Sequence, residues 1–315
     1  MATALNSAWS KPSTLLFACE CPANEKAFAF AIAQAREFGA TLVLFHACGT
    51  VADAVSGSSG IFIDHTAANR AEIDQLRPLA ERARNAGLRC EVVARNGLAA
   101  DQILAYLRER EVDRIVMGTH APGPIGKLLV GSVAESVLRN SPVPVCIVGP
   151  DVVDGKYRNF ATRVILCAVS LNESSHIVAA FAAELAAQHN ASLILQHVLR
   201  PHDRADAGRT FPEMEAQLLS LIPPELEDRI SAQAIVVPGD PTQELLYQAR
   251  AQQADLMVLG AQGASAFAAV TRHGVVYKVL AHAQCPVITL SPHVLAENGV
   301  GDAAYAVDAY LAGVF

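Results

Sequence analysis

Charge is scarce in this chain. Only 17% of its 315 residues are Asp, Glu, Lys or Arg, and the formal net charge is −7. Gripping nucleic acid or acidic lipid takes a basic footprint. No lysine or arginine cluster supplies one locally, so neither partner is expected. Long apolar runs are also missing. Charges or glycines break each of them before the roughly 18 residues that a membrane-spanning helix needs. Met1–Pro12 is polar and short, without the charged start and apolar core of a secretory leader, so no leader is expected. The 7 cysteines are odd in number and irregular in spacing, which excludes a disulfide framework. Most sit in apolar runs, which points to buried thiols and a reducing, cytoplasmic compartment.

Several chemical signatures are absent. A phosphate-binding Walker loop needs Gly-Lys followed by Ser or Thr, but Gly126-Lys127 is followed by Leu128, and Ala121 stands at the first glycine position. The dinucleotide pattern G-x-G-x-x-G does not occur, because Gly123 and Gly126 lack the leading glycine. Cys19 and Cys21 form a Cys-x-Cys pair, yet no second pair or histidine cluster completes a metal site. His176, His189, His202, His282 and His293 are dispersed, and no nucleophile, base and acid fall at spacings that suggest hydrolysis.

What is present is apolar substance and a repeat. Hydrophobic residues make up 52% of the chain, enough to fill cores and too many for a disordered one. The stretch Val112–Val148 reads as a strand, a loop with four glycines (Gly118, Gly123, Gly126 and Gly131), then Ser132, a helical run over Val133–Arg139 and a second apolar run. Strand, glycine-rich loop and helix N-terminus in that order can present backbone N–H groups to an anion. Ala254–Leu290 repeats the layout without a gap. Asp113 and Asp255, Gly118 and Gly260, Val133 and Val275, and Pro144 and Pro286 each lie 142 residues apart. A match of this length marks a duplicated unit, and the chain length suits two domains of about 150 residues each.

The rest of the chain alternates in both copies. Strands are expected at Leu15–Cys19, Thr41–His46, Arg89–Val93, Arg114–Met117 and Val143–Val148, with helices over Asn24–Phe38, Thr66–Asn85, Ala99–Arg110 and Val133–Arg139. The long helix puts Ile73, Leu76 and Leu79 on one face. Cys48–Asp64 reads as a loop, and Pro150–Arg163 as a polar linker. The second copy has strands at Val164–Val169, Ala191–Val198 and Ala232–Val237. Its helices span Glu173–Gln188, Phe211–Leu221 (stopped by Pro223-Pro224) and Pro241–Gln252. Ser291–Phe315 is extra, with a short helix expected over Ala303–Ala312. Such alternation is the mark of parallel strands with helical crossovers, an α/β fold.

Met117–His120 followed by Gly131–Leu138 and Ser141–Val145, and Val258–Gly263 followed by Val275–Val287, resemble the universal stress protein family in its tandem two-domain form. Helix starts at Asn96-Gly97 and Gly239-Asp240-Pro241, and strands ending in His46 and His197-Val198, fit the same resemblance. It implies two Rossmann-like domains, each with a five-stranded parallel sheet flanked by helices, over residues 1–150 and 164–291, with a linker at 151–163 and an extension at 292–315. It also implies that the last strands of the two domains pair, making an intramolecular pseudo-dimer with its seam at Val143–Val148 and Pro286–Leu290. Pro144 and Pro286 suit the start of an edge strand. Whether two such chains pair further into a homodimer stays open.

One branch of this family binds ATP through G-x2-G-x9-G-[S/T] and an acid after the first strand. Carried over residue by residue, Gly118, Gly131 and Ser132 fit, Ala121 departs at the second glycine, and Glu20 takes the acid position. Lys127, in the same loop, can neutralise a phosphate or simply be solvated. In the second copy Gly260 and Gly263 fit, His273 takes the third glycine position with Gly274 one residue late, Val275 follows instead of Ser or Thr, and Ser170 replaces the acid. The resemblance therefore implies a stress-response adaptor that binds an adenine nucleotide, ATP with Mg²⁺, mainly in the first half, with Ala121–Leu129 as its moving loop. The plain alternative for Gly118, Gly131 and Ser132 is ordinary turn and cap chemistry, and for Glu20 an exposed loop carboxylate. The departures motivate a second reading, a scaffold for an unknown protein partner that binds no nucleotide. A slow nucleotide hydrolase is the third, and the sequence offers no base for it.

Overall fold

The computed structural model describes residues 7–20, 23–48, 65–119, 130–153, 161–172, 174–200, 208–260 and 274–297. The first half runs α1 (Ser7–Ser10), β1 (Thr14–Ala18), α2 (Glu25–Phe38), β2 (Thr41–Cys48), α3 (His65–Asn85), β3 (Cys90–Asn96), α4 (Ala99–Glu109), β4 (Arg114–Gly118), α5 (Ser132–Asn140) and β5 (Val145–Val148). The second runs β6 (Val164–Ala168), α6 (Ser175–His189), β7 (Ser192–Leu199), α7 (Phe211–Leu219), α8 (Pro224–Glu227), β8 (Ser231–Pro238), α9 (Pro241–Ala251), β9 (Leu256–Gly260), α10 (Val275–His282), β10 (Val287–Leu290) and α11 (Pro292–Glu297).

Local chemistry sets the helix ends. Asn24 caps α2 by accepting from the Ala27 N–H, and Gly39 closes it at φ 64°. Asn190 holds the same left-handed place after α6 at φ 52°, a conformation that Asn tolerates better than most residues. Asp240 caps α9 by accepting from Gln243, with Pro241 in the first turn. In α3 the buried face is Leu76, Leu79, Ala80 and Ala83. Ile73 is 40% exposed, so it does not share the core face that the spacing assigned to it.

The strands form one sheet, not two. Its order is β3-β2-β1-β4-β5-β10-β9-β6-β7-β8. Pairing is parallel within each half and antiparallel where β5 meets β10, with Ile288 opposite Cys146. The seam is where the family resemblance placed it: β5 and β10 are each the edge strand of their own half, and they pair with one another. β5 and β10 are the two central strands, and all four residues of each are buried. Pro144 and Pro286 stand just before them, where only a carbonyl is asked for: each accepts a backbone bond, from Ile115 and Met257.

Helices cover both sheet faces. One core packs α2, α3, α6 and α7 against the sheet, and the other packs α4, α5, α9 and α10. This accounts for the unbroken apolar strands, because a strand covered on both faces has no polar side. The matched acids Asp113 and Asp255 tie each half together at one end. Asp113 Oδ2 accepts from Ser13 N and Oγ and from Thr14 N, and Asp255 Oδ2 accepts from Arg163 N and Val164 N, so each carboxylate pins the start of β1 or β6.

Three segments depart from expectation. The polar N-terminal stretch contains α1, with Trp9 and Ser10 buried. α7 ends at Leu219, and Pro224 opens the short α8 instead of only stopping a helix. The start of the linker is packed, since Lys26 Nζ donates to the carbonyls of Pro150 and Val152 and Val152 is buried. Residues 303–312, read as a terminal helix, lie outside the described residues. No helix among the described residues is long and apolar enough to cross a membrane.

Candidate functional site

In a parallel sheet of this kind, ligands gather at the carboxyl ends of the strands. The register Ala18 opposite Met117 brings the residues after β1 and β4 to neighbouring strand ends. Glu20 lies there, exposed, two residues past β1. Gly118 ends β4, and Thr119 continues by donating its N–H to the Val148 carbonyl at 3.2 Å. α5 runs back between β4 and the parallel β5, so its N-terminus opens at the same end of the sheet.

That N-terminus has no side-chain cap. Gly131 is the N-cap, at φ −62° and ψ 157°, and it offers no side-chain cap. Ser132 opens the helix and is exposed. The first N–H groups of a helix have no intrahelical partner, and the helix dipole adds partial positive charge. The hydroxyl of Ser132 and these N–H groups are what an anion would meet. Ala121 and Lys127 lie outside the described residues.

Asn24 is a residue that sequence reading took only as a helix start. Its Oδ1 caps α2, and its Nδ2 donates to the Thr119 carbonyl at 3.2 Å. A Cβ built on Gly118 would stand 2.6 Å from Asn24 Cγ. Gly118 is therefore a close-approach glycine that lets the start of α2 dock on the end of β4. Beside it, Thr119 is buried, and its Oγ1 has no hydrogen-bond partner among the described residues.

A histidine recurs in both halves. His46 Nδ1 meets the Cys19 carbonyl at 2.9 Å, and His197 Nδ1 meets the Val169 carbonyl at 2.8 Å. A carbonyl only accepts, so Nδ1 carries the proton in both rings and Nε2 is the accepting nitrogen of the neutral form. Each ring ties the chain leaving the first strand of its half to the second strand. The matched strand endings were the visible signal; the bond itself follows only from the register.

The second half is built differently at the corresponding place. A Cβ on Gly260 would stand 2.7 Å from Val178 Cγ2, so an apolar side chain sits where Asn24 sits in the first half. Ser170 follows β6, and Leu171 is held at φ 52°. Asn172 Oδ1 accepts from Ser174 N, Ser174 Oγ and Ser175 Oγ, which uses the local hydroxyls internally. Gly274 is the N-cap of α10, at φ −71° and ψ 161°, so it takes the place of Gly131 although it aligns one residue late. The helix then opens on Val275, which has no hydroxyl. Gly263 lies outside the described residues.

Among the described residues no group of three or more His, Cys, Asp or Glu can hold a metal ion. Cys19, Cys146, Cys167 and Cys285 are buried thiols outside any disulfide, while Cys90 is only half-buried. Burial pushes the Cys146 thiol up to about 12. Cys21 lies outside the described residues.

Comparison with known proteins joins these observations. The profile described as Universal stress protein family matches residues 13–149 and 161–291. The universal stress protein YxiE of Bacillus subtilis is 30% identical over 134 residues, which are 40% of this chain and 90% of that protein. A universal stress protein of Methanocaldococcus jannaschii is 31% identical over 75 residues, 24% of this chain and 44% of that protein. The crystal structure of a universal stress protein from Archaeoglobus fulgidus superposes with a TM-score of 0.68 at 20% identity, covering 90% of this chain and 97% of that one. Two family matches, one on each copy of the repeat, together cover most of the sequence, and the chain belongs to the universal stress protein family.

Proposed function

We propose that this protein is a tandem stress-response adaptor whose first half binds an adenine nucleotide, ATP with Mg²⁺, and whose second half does not. The observation that carries this reading is the uncapped N-terminus of α5, with Ser132 exposed beside the end of β4. Gly131 and Ser132 would hold the phosphates through backbone N–H groups and the hydroxyl. Glu20, exposed after β1, would accept from a ribose hydroxyl. The nucleotide would bring its Mg²⁺ with the phosphates. Val275 and Val178 offer none of this in the second half, which serves as the structural partner. The assigned residues bind and orient; none is a general base, so the reading is one of binding and not of turnover.

Binding to the folded state alone raises stability by mass action. The expected result is a melting temperature that climbs with millimolar Mg·ATP, a climb reduced in Ser132→Ala and in Glu20→Ala. No shift in the unmodified protein would overturn the reading and favour the scaffold, whose ligand is another protein.

A further inference from the structure

The two halves meet through more than β5 and β10. Phe38 is the last residue of α2 and His189 the last of α6, and each precedes the left-handed residue that closes its helix. They are equivalent positions of the repeat, yet they touch, with ring centroids 5.2 Å apart and planes at 70°. Equivalent residues in contact lie on the pseudo-twofold axis that relates the halves.

Around that axis the chemistry is one-sided. His189 Nδ1 lies 2.6 Å from Glu37 Oε1, with the His189 side chain 0% exposed. Gln34 Nε2 donates to Glu37 Oε2 at 3.4 Å, and Arg114 Nη1 donates to Gln34 Oε1 at 2.9 Å. Arg114 Nη2 donates to the Trp9 carbonyl at 2.5 Å, which holds α1 in place, and α1 packs on α6. In the second half the positions of Glu37, Gln34 and Arg114 are Gln188, Leu185 and Leu256. The first half therefore brings a supported carboxylate, and the second brings the imidazole that fills it.

An independent contact says the same sterically. A Cβ on Gly149, just past β5, would stand 2.5 Å from the Leu280 carbonyl of α10. Its equivalent just past β10 is Ser291, whose Oγ donates to the Ser141 carbonyl and accepts from Val294 N. A seam made from two second halves would drive a serine into the space that only Gly149 leaves. It would also set two histidines face to face without a carboxylate. A seam made from two first halves would set Phe38 on Phe38 and leave both Glu37 carboxylates without a ring N–H.

We infer that the Glu37–His189 contact and the Gly149–Leu280 contact make this seam selective for unlike halves, so that the partner fitting the first half is the second half and not another first half. Specificity of this kind is a difference between affinities, and here both an attraction and an obstruction contribute. The inference stands apart from nucleotide binding.

The test uses the full chain. Glu37→Gln, His189→Phe and the double variant form a cycle read by melting temperature. Each single change is expected to lower it by roughly 5 °C, and the double by clearly less than the sum, because the partners couple across the seam. Gly149→Ser should lower it far more than Ser291→Gly, although each merely copies one half's residue into the other. Light scattering should show the mass of Gly149→Ser rising with concentration as freed β5 and β10 edges pair between chains. An additive cycle, or equal losses from Gly149→Ser and Ser291→Gly, would overturn the inference.

Discussion

Asn24 lies against the Cα of Gly118, so close that a Cβ there would stand 2.6 Å from Asn24 Cγ and 2.7 Å from its Cβ. One side chain thus caps α2, holds the Thr119 carbonyl and fills the space above the end of β4. Gly118→Ala should displace Asn24, loosening the start of α2 and the entry to the loop before α5. The expected cost is about 1–3 kcal/mol, as for other forced overpacking, measured by urea unfolding. The same variant should lose any thermal shift given by Mg·ATP. Gly260→Ala meets Val178 instead and should keep that shift while losing a similar amount of stability.

Glu184 supplies a pH dependence. It sits on α6, half-buried, and burial raises its pKa above the ordinary carboxylate value, partly opposed by a bond with Ser10. A raised acid binds its proton more tightly in the folded state. As pH climbs through the unfolded value the unfolded chain ionises first, and stability falls until the folded pKa is passed. Glu184→Gln removes that loss. It should raise the melting temperature by a few degrees at about pH 7.5 and leave it little changed at about pH 4. A gain of equal size at both would assign the effect to packing.

Arg114 is wholly buried, and burial lowers its pKa to about 10, so it stays charged at neutral pH. Arg114→Leu copies the second half, where Leu256 stands, but it strands the Gln34 amide and the Trp9 carbonyl. Breaking such a set by removing one member should cost about 3 kcal/mol. Adding Gln34→Leu, which copies Leu185, should recover a good part of it. Amide exchange over residues 7–20 should quicken in the single variant, since α1 loses the guanidinium that holds its carbonyls.

These residues also mark how far the sequence could be read. The repeat and the alternation of elements were legible because they rest on periodicity and on a gapless match. The union of the two halves across β5 and β10 came from the family resemblance alone, since that pairing leaves no signal within either strand. Asn24, Thr119 and Val178 were invisible as site residues because their roles depend on which strand ends are neighbours. Arg114 and Gln34 look like surface residues in a one-dimensional reading; both are buried, and they bond to each other beneath the Trp9 carbonyl. Gly274 fell one residue out of step in the alignment, while the backbone gives it the cap position of Gly131.

Asp113 and Asp255 give the last test, because they play one role in two places. Each carboxylate takes the leading N–H groups of the first strand in its half, and these bonds lie in separate halves. Asp113→Ala and Asp255→Ala should each cost about 1–3 kcal/mol, the price of orphaned donors. Asp255, only 9% exposed, should cost the more. With those bonds made in separate halves, their effects should add in the double variant. The ten strands form one ladder, so damage to one half should be felt by both. Either variant should lower a single melting transition of the whole chain. Two separate transitions, with only one displaced, would mean that β5 and β10 join the halves without making them one cooperative unit.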